Sequence, residues 1–270
     1  MCLTRHGLIT LLPWPAVVFS TLLSPSSAGA IELEQWGGAA HAYPAMREIE
    51  GKELGEGEFT QQIQDKLLRI KITYDLTKGR RIEEKGAFQQ RPELIQKEWS
   101  WRELKGETLQ REYKVDFDSG RANARKREEG GPRNWSEKIE IVRGRTFAGF
   151  GFTLALQNLR SRLVKGEAVE LQAVGFTPKP RVVTVKLSYR GVDRMRMSGR
   201  VLRGEHFTVQ PEIPAIVKLF IKLPDTHIWL TPPPSGFLRW EGPLAEPGDA
   251  LVRVDLASGG ESGAAKLVEK

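Results

Sequence analysis

The sequence predicts a mainly β protein: an antiparallel meander forming a curved sheet or open barrel, with one amphipathic helix packed on it. Three observations lead there. Apolar residues recur at every second position in segment after segment, as in Leu68, Ile70, Ile72, Tyr74 and Leu76, or Val183, Val185, Leu187 and Tyr189. That is the pattern of strands with one buried face. Pairs of a basic residue and a glycine, Lys78-Gly79, Lys105-Gly106, Arg190-Gly191 and Arg203-Gly204, punctuate these segments. Connections this short join antiparallel neighbours, because a parallel pair needs a long crossover. Finally, one stretch alone, residues 147–166, carries convincing helical spacing.

Taken in order, residues 1–30 read as a signal peptide. Arg5 and His6 precede an apolar run over 8–23, and Ala28-Gly29-Ala30 has the small-residue form of a cleavage site, cut after Ala28 or Ala30. The run is broken by prolines and is shorter than the ~20 residues of a membrane span. Residues 31–66 are Gly-rich and expected to carry little order beyond a short helix opened by Pro44. Residues 67–257 are expected to be a single β-rich domain of about ten to twelve strands. Strands are expected over 67–76, 80–90, 94–104, 109–117 and 121–128, and residues 129–137 read as a loop between two halves of the sheet. Within the helix, Phe152, Leu156, Leu159 and Leu163 form one stripe. Arg160, Arg162 and Lys165 suit its negative end, and Gly166 is placed to stop it. Strands resume at Val169 and Leu171 and continue through Val183 to Tyr189, Met195 and Met197, and Phe207 and Val209. Residues 219–241 read as apolar strands around a corner at Pro232, Pro233 and Pro234. Val252 and Val254 close the sheet, and residues 258–270 read as a disordered tail.

Bulk composition narrows the function. Cys2 is the only cysteine, so the exported chain has no disulfide, no thiol nucleophile and no cysteine metal site. Removing the signal leaves 270 − 30 = 240 residues, enough for a core without disulfides. Export without cysteines suits a bacterial periplasm, with secretion as the alternative. The exported net charge is (41 − 1) − 34 = +6, with both signs interspersed. This serves solubility and permits approach to an anionic envelope surface; nucleic acid is not an expected partner. No stretch after the signal is apolar enough to cross a membrane as a helix.

Few residues suggest chemistry. Asp116 and Asp118 sit two apart at a strand end, where the plainer reading is a turn capped by a carboxylate. Asp225 and His227 are the pair a remote hydrolase reading would use, yet no positioned serine or G-x-S-x-G accompanies them. The exported histidines, His41, His206 and His227, lack metal-ligand spacing, and no phosphate loop is present. No cofactor is expected. The aromatic pairs Trp99 with Trp101 and Trp229 with Trp240 read either as core or as the lining of an apolar pocket.

With the motif Asp116-Phe117-Asp118-Ser119-Gly120, the helix end Leu159-Arg160 to Gly166, and Ile228-Trp229-Leu230-Thr231 in view, the chain resembles a family of bacterial exported β-rich proteins of unknown function. The resemblance covers roughly residues 67–256. It implies a periplasmic curved sheet somewhat similar to lipoprotein-carrier half-barrels, and it carries no catalytic residues. The long Gly-rich start and the triple-proline corner depart from the family pattern.

The expected function is therefore a periplasmic binding or carrier module for an apolar, lipid-like ligand or an acylated partner, not an enzyme. Trp99, Trp101, Leu156, Leu159, Trp229 and Trp240 are the expected lining. The alternative is a structural or assembly protein of the cell envelope with a packed interior.

Overall fold

The computed structural model describes residues 30–197, 199–212 and 224–256. All but the last residue of the expected signal peptide, the apolar segment over 217–223 and the expected tail over 258–270 lie outside them. The order of elements is β1 (Ala40–Ala42), β2 (Ala45–Glu48), β3 (Glu53–Gln64), β4 (Leu67–Leu76), β5 (Arg80–Gln89), β6 (Ile95–Lys105), β7 (Thr108–Asp116), β8 (Arg121–Glu128), β9 (Gly131–Lys138) and β10 (Thr146–Phe147). Helix α1 (Gly151–Val164) follows, then β11 (Val169–Phe176), β12 (Pro180–Met197), β13 (Arg200–Pro211), β14 (Thr226–Leu230), β15 (Phe237–Pro243) and β16 (Leu251–Asp255).

These strands make one 16-stranded sheet in the order β10 to β16, then β2 to β9, with β1 added on β3. Every pairing is antiparallel except β10 with β11. The sheet is a curved meander that does not close: its edges are β9 and β10, which are neighbours in the chain. Among the described residues, the two halves, β2 to β9 and β10 to β16, are paired through the four-residue register of β16 on β2 alone.

Alternation explains the curvature. Leu68, Ile70, Ile72, Tyr74 and Leu76 all face inward and are buried. Curling the sheet gives these apolar faces a common interior, and α1 fills part of it. Leu156, Leu159 and Leu163 of the helical stripe are buried, while Phe152 is half-buried. Arg160 fixes the helix to β13 through a bidentate pair with Glu205, Nε and one terminal nitrogen each 2.5 Å from a carboxylate oxygen. On the helix's other side runs the N-terminal segment, where the Asn158 side chain accepts the Glu34 and Gln35 backbone N–H groups at 2.8 and 2.9 Å. Ile31 joins the core there.

Several expectations are corrected. Residues 31–66 contribute β1, β2 and β3, and Pro44 opens strand β2 instead of a helix. Gly55 and Gly57 lie inside β3, where an added Cβ would stand 2.2 Å from the carbonyl oxygens of Asp75 and Thr73. The glycines mark a close approach of the paired strand β4, not a break. Residues 129–137 form most of edge strand β9, where Pro132 is tolerated because the strand has a free side. Arg190-Gly191 is a bulge within β12, and Arg203-Gly204 lies inside β13. Gly204 is small because Met195, Leu238 and Trp229 pack over its backbone. Among the described residues, no helix is long and apolar enough to cross a membrane.

Candidate functional site

The interior has two regions of different character. Between β6, β7 and β11 it is filled. Trp99 stacks on Phe176 (centroids 5.8 Å apart), Phe176 on Tyr113 (4.5 Å) and Tyr113 on Trp101 (5.5 Å). Trp99, Trp101, Leu156 and Leu159, four of the expected lining residues, are buried members of this core. Trp240 is half-buried and packs against it. Trp229 is elsewhere. It opposes Arg239 on the outer face of β14, whereas Trp240 opposes the inward Ile228. The two tryptophans therefore lie on opposite faces of the sheet, and Trp229 belongs to a separate outer cluster with Met195, Met197 and Leu238.

The second region lies beside the start of α1. Glu84 points inward from β5, opposite Trp101 and next to Ile72. One oxygen, Oε1, accepts the indole N–H of Trp99 at 2.8 Å and the backbone N–H of Phe150 at 2.8 Å. A carboxylate at that point also suits the positive end of the helix. Among the described residues the other oxygen has no donor, and it is not sealed off from accessible space. Glu84 itself is half-buried. Burial pushes the Glu84 carboxyl above the usual carboxylate range, against the pull of the Trp99 and Phe150 donors. Burial, with the Glu84 charge beside it, likewise pushes up the Tyr74 hydroxyl.

Half-buried aromatics surround this region. Phe150 bridges Phe59 of β3 (5.3 Å) and Phe237 of β15 (5.9 Å). Gly149 makes the tight approach possible. Its φ is +53°, and an added Cβ would stand 2.0 Å from Glu84 Oε1 and 2.2 Å from the Trp99 indole nitrogen. Sequence reasoning missed Glu84, Phe59, Phe150 and Phe237. The available signal was Glu84 itself, at an inward position of an otherwise apolar alternation with Ile82 and Phe88.

A polar latch crosses the same interior. The loop between β15 and β16 reaches β6, β7 and β8. Arg111 Nη1 donates to both Asp249 oxygens at 3.0 and 2.7 Å, and its Nε donates to Glu103 at 2.9 Å. Glu103 also accepts from Arg80 Nε at 2.7 Å. Tyr113 and Lys126 bond to Glu246. Asp249 holds its own loop by accepting the Ala245 and Glu246 backbone N–H groups. Burial pulls the Arg111 guanidinium down, but the Asp249 bonds and the Glu103 charge outweigh it, and the net shift is upward.

The remaining candidate chemistry is dispersed. Asp116 accepts the Asp118 and Ser119 backbone N–H groups at 3.0 Å each, capping the turn. The Ser119 bond holds its carboxyl below the usual range. Asp225 accepts from Gln210 at 2.7 Å, while His227 shares a 2.9 Å hydrogen bond with His206. The carboxylate facing that histidine pair is Asp193, 3.2 Å from His206 and 2.8 Å from the Trp229 indole nitrogen. Burial holds His206 below the usual histidine range, opposed by Asp193. Among the described residues, no group of three or more His, Cys, Asp or Glu side chains is placed to hold a metal.

No family model and no curated protein matches the chain. Among solved structures it is similar to the crystal structure of a β-barrel-like protein of domain of unknown function DUF1849 from Brucella abortus. The identity is 10%, over 85% of this chain and 98% of that chain, with a TM-score of 0.44.

Proposed function

We propose that the protein is a non-catalytic binding module of the bacterial periplasm that carries an apolar, lipid-like ligand in the concavity beside α1. One observation carries the reading: the mutually packed Phe59, Phe150 and Phe237 stay half-buried beside Glu84, which accepts the Phe150 backbone N–H and has a second oxygen without a donor among the described residues. Apolar walls with one convergent polar group are the usual make-up of a small-molecule site. Glu84 Oε2 would meet the polar end of the ligand, accepting a hydrogen bond when ionised and donating one when protonated. The separate partners of Asp225 and His227 support the non-catalytic reading.

The alternative, an envelope assembly protein with a packed interior, draws its support from the stack of Trp99, Phe176, Tyr113 and Trp101 that fills the other part of the interior. Native mass spectrometry of protein exported by its own signal decides between them. A co-purifying lipid-sized mass, reduced in Phe150→Ser, is the expected result. No added mass, together with no fluorescence gain from an apolar naphthylamine probe, sinks the carrier reading.

A further inference from the structure

Strands β12 and β13 run past their neighbours. β11 pairs with β12 only as far as Leu187, and β14 pairs with β13 only from Glu205. Beyond those points residues 193–197 pair with residues 200–204 and with no other strand among the described residues. The result is a two-stranded arm. One face carries Met195, Met197 and Leu202, which pack on Trp229 and Leu238 and so pin the arm to the outside of the sheet. The other face carries Val192, Arg194 and Arg196 from β12 beside Val201 and Arg203 from β13. All five are exposed, Val192 at 42% and Val201 at 59%.

This face is poorly suited to water alone. Arg194 stands directly opposite Arg203 in the register, and like charges facing each other across strands destabilise a pair. Among the described residues none of the three arginines has an acidic partner. The carboxylate at the base of the face, Glu205, is already taken by Arg160. We infer that this arm face docks on an anionic lipid surface. Guanidinium groups bind lipid phosphates bidentately, and the valines between them enter the interfacial layer. Interleaved apolar residues favour a bilayer over an acidic protein groove or a soluble polyanion.

The test is co-sedimentation of the exported chain with vesicles of phosphatidylglycerol and phosphatidylethanolamine, against vesicles of phosphatidylcholine. Binding to the anionic vesicles that weakens with salt is expected. The triple variant Arg194→Gln, Arg196→Gln, Arg203→Gln should bind roughly a hundredfold more weakly. Arg121→Gln, Arg125→Gln, Arg127→Gln on β8 makes the same charge change on another exposed strand face, and should change binding no more than about threefold. The arm variant should melt no lower than the native chain, because it removes the Arg194–Arg203 opposition. Val192→Ser with Val201→Ser keeps the charge and should weaken binding several-fold. Equal losses in the two triple variants, no preference for anionic vesicles, or full binding by the valine variant overturns the inference.

Discussion

The Arg160–Glu205 pair gives a quantitative test of how α1 is held in the sheet. Glu205 exposes 6% of its side chain and Arg160 23%, and among the described residues Glu205 has no other hydrogen-bond donor. Arg160→Met removes both charge-assisted bonds and leaves a buried carboxylate without a cation. Breaking one side of such a pair costs about 3–5 kcal/mol. Replacing both partners, Arg160→Met with Glu205→Met, removes the stranded charge as well and should fall within about 1–2 kcal/mol of the native chain. Urea unfolding of the native chain and both variants, followed by circular dichroism, measures each quantity. A single-variant loss below about 1 kcal/mol, or a double variant as unstable as the single, would refute the reasoning.

Three further outcomes follow from the interior. Glu84→Gln keeps an acceptor for Trp99 and Phe150 but removes the charge. Native stability should fall as pH rises from the ordinary glutamate value through the raised folded one, and the variant should lack that slope in urea unfolding. Gly149→Ala must place a Cβ 2.0 Å from Glu84 Oε1 at φ +53° and should cost about 3 kcal/mol, whereas Gly79→Ala, at φ +67° with open space, should cost about 1 kcal/mol by thermal melting. Arg111→Met should cost about 3–5 kcal/mol and speed amide exchange over residues 244–250, because it leaves Asp249 and Glu103 short of a counter-charge. Unchanged exchange in that loop would show that the latch is held by other contacts.

Strand pattern was legible where alternation was clean. Residues 67–76 and 121–128 match β4 and β8 in full, and the helical stripe from Leu156 to Leu163 is buried as its spacing predicts. Glycine misled in both directions. Gly55 and Gly57 sit within a strand because the neighbouring backbone passes close, and Gly191 is a bulge within a longer strand. Neither is visible without knowing the partner strand. The facing of Trp229 and Trp240 was illegible for a related reason: the irregular β14–β15 register shifts between Trp229 and Leu230, so counting along the chain loses the phase. Arg111 was the polar exception on an inward strand face. Its partner Asp249 lies 138 residues away, and local spacing holds no information about so distant a counter-charge. Glu84 was hidden in the same way, since its donors come from β6 and the turn before α1.

The sheet's open seam lies between β9 and β10, which follow one another in the chain, while its middle is where the first and last long-range partners, β2 and β16, meet. The protein therefore resembles a book whose spine is a four-residue register and whose covers are two meanders. Side chains, not strand hydrogen bonds, clasp the covers: Arg111 to Asp249, Glu84 to Phe150, Asn158 to the segment before β1. Opening would break those clasps while leaving every hairpin intact. The same layout sets the order of assembly: each meander can form from largely local pairings, but the spine must wait until β16 is available to β2.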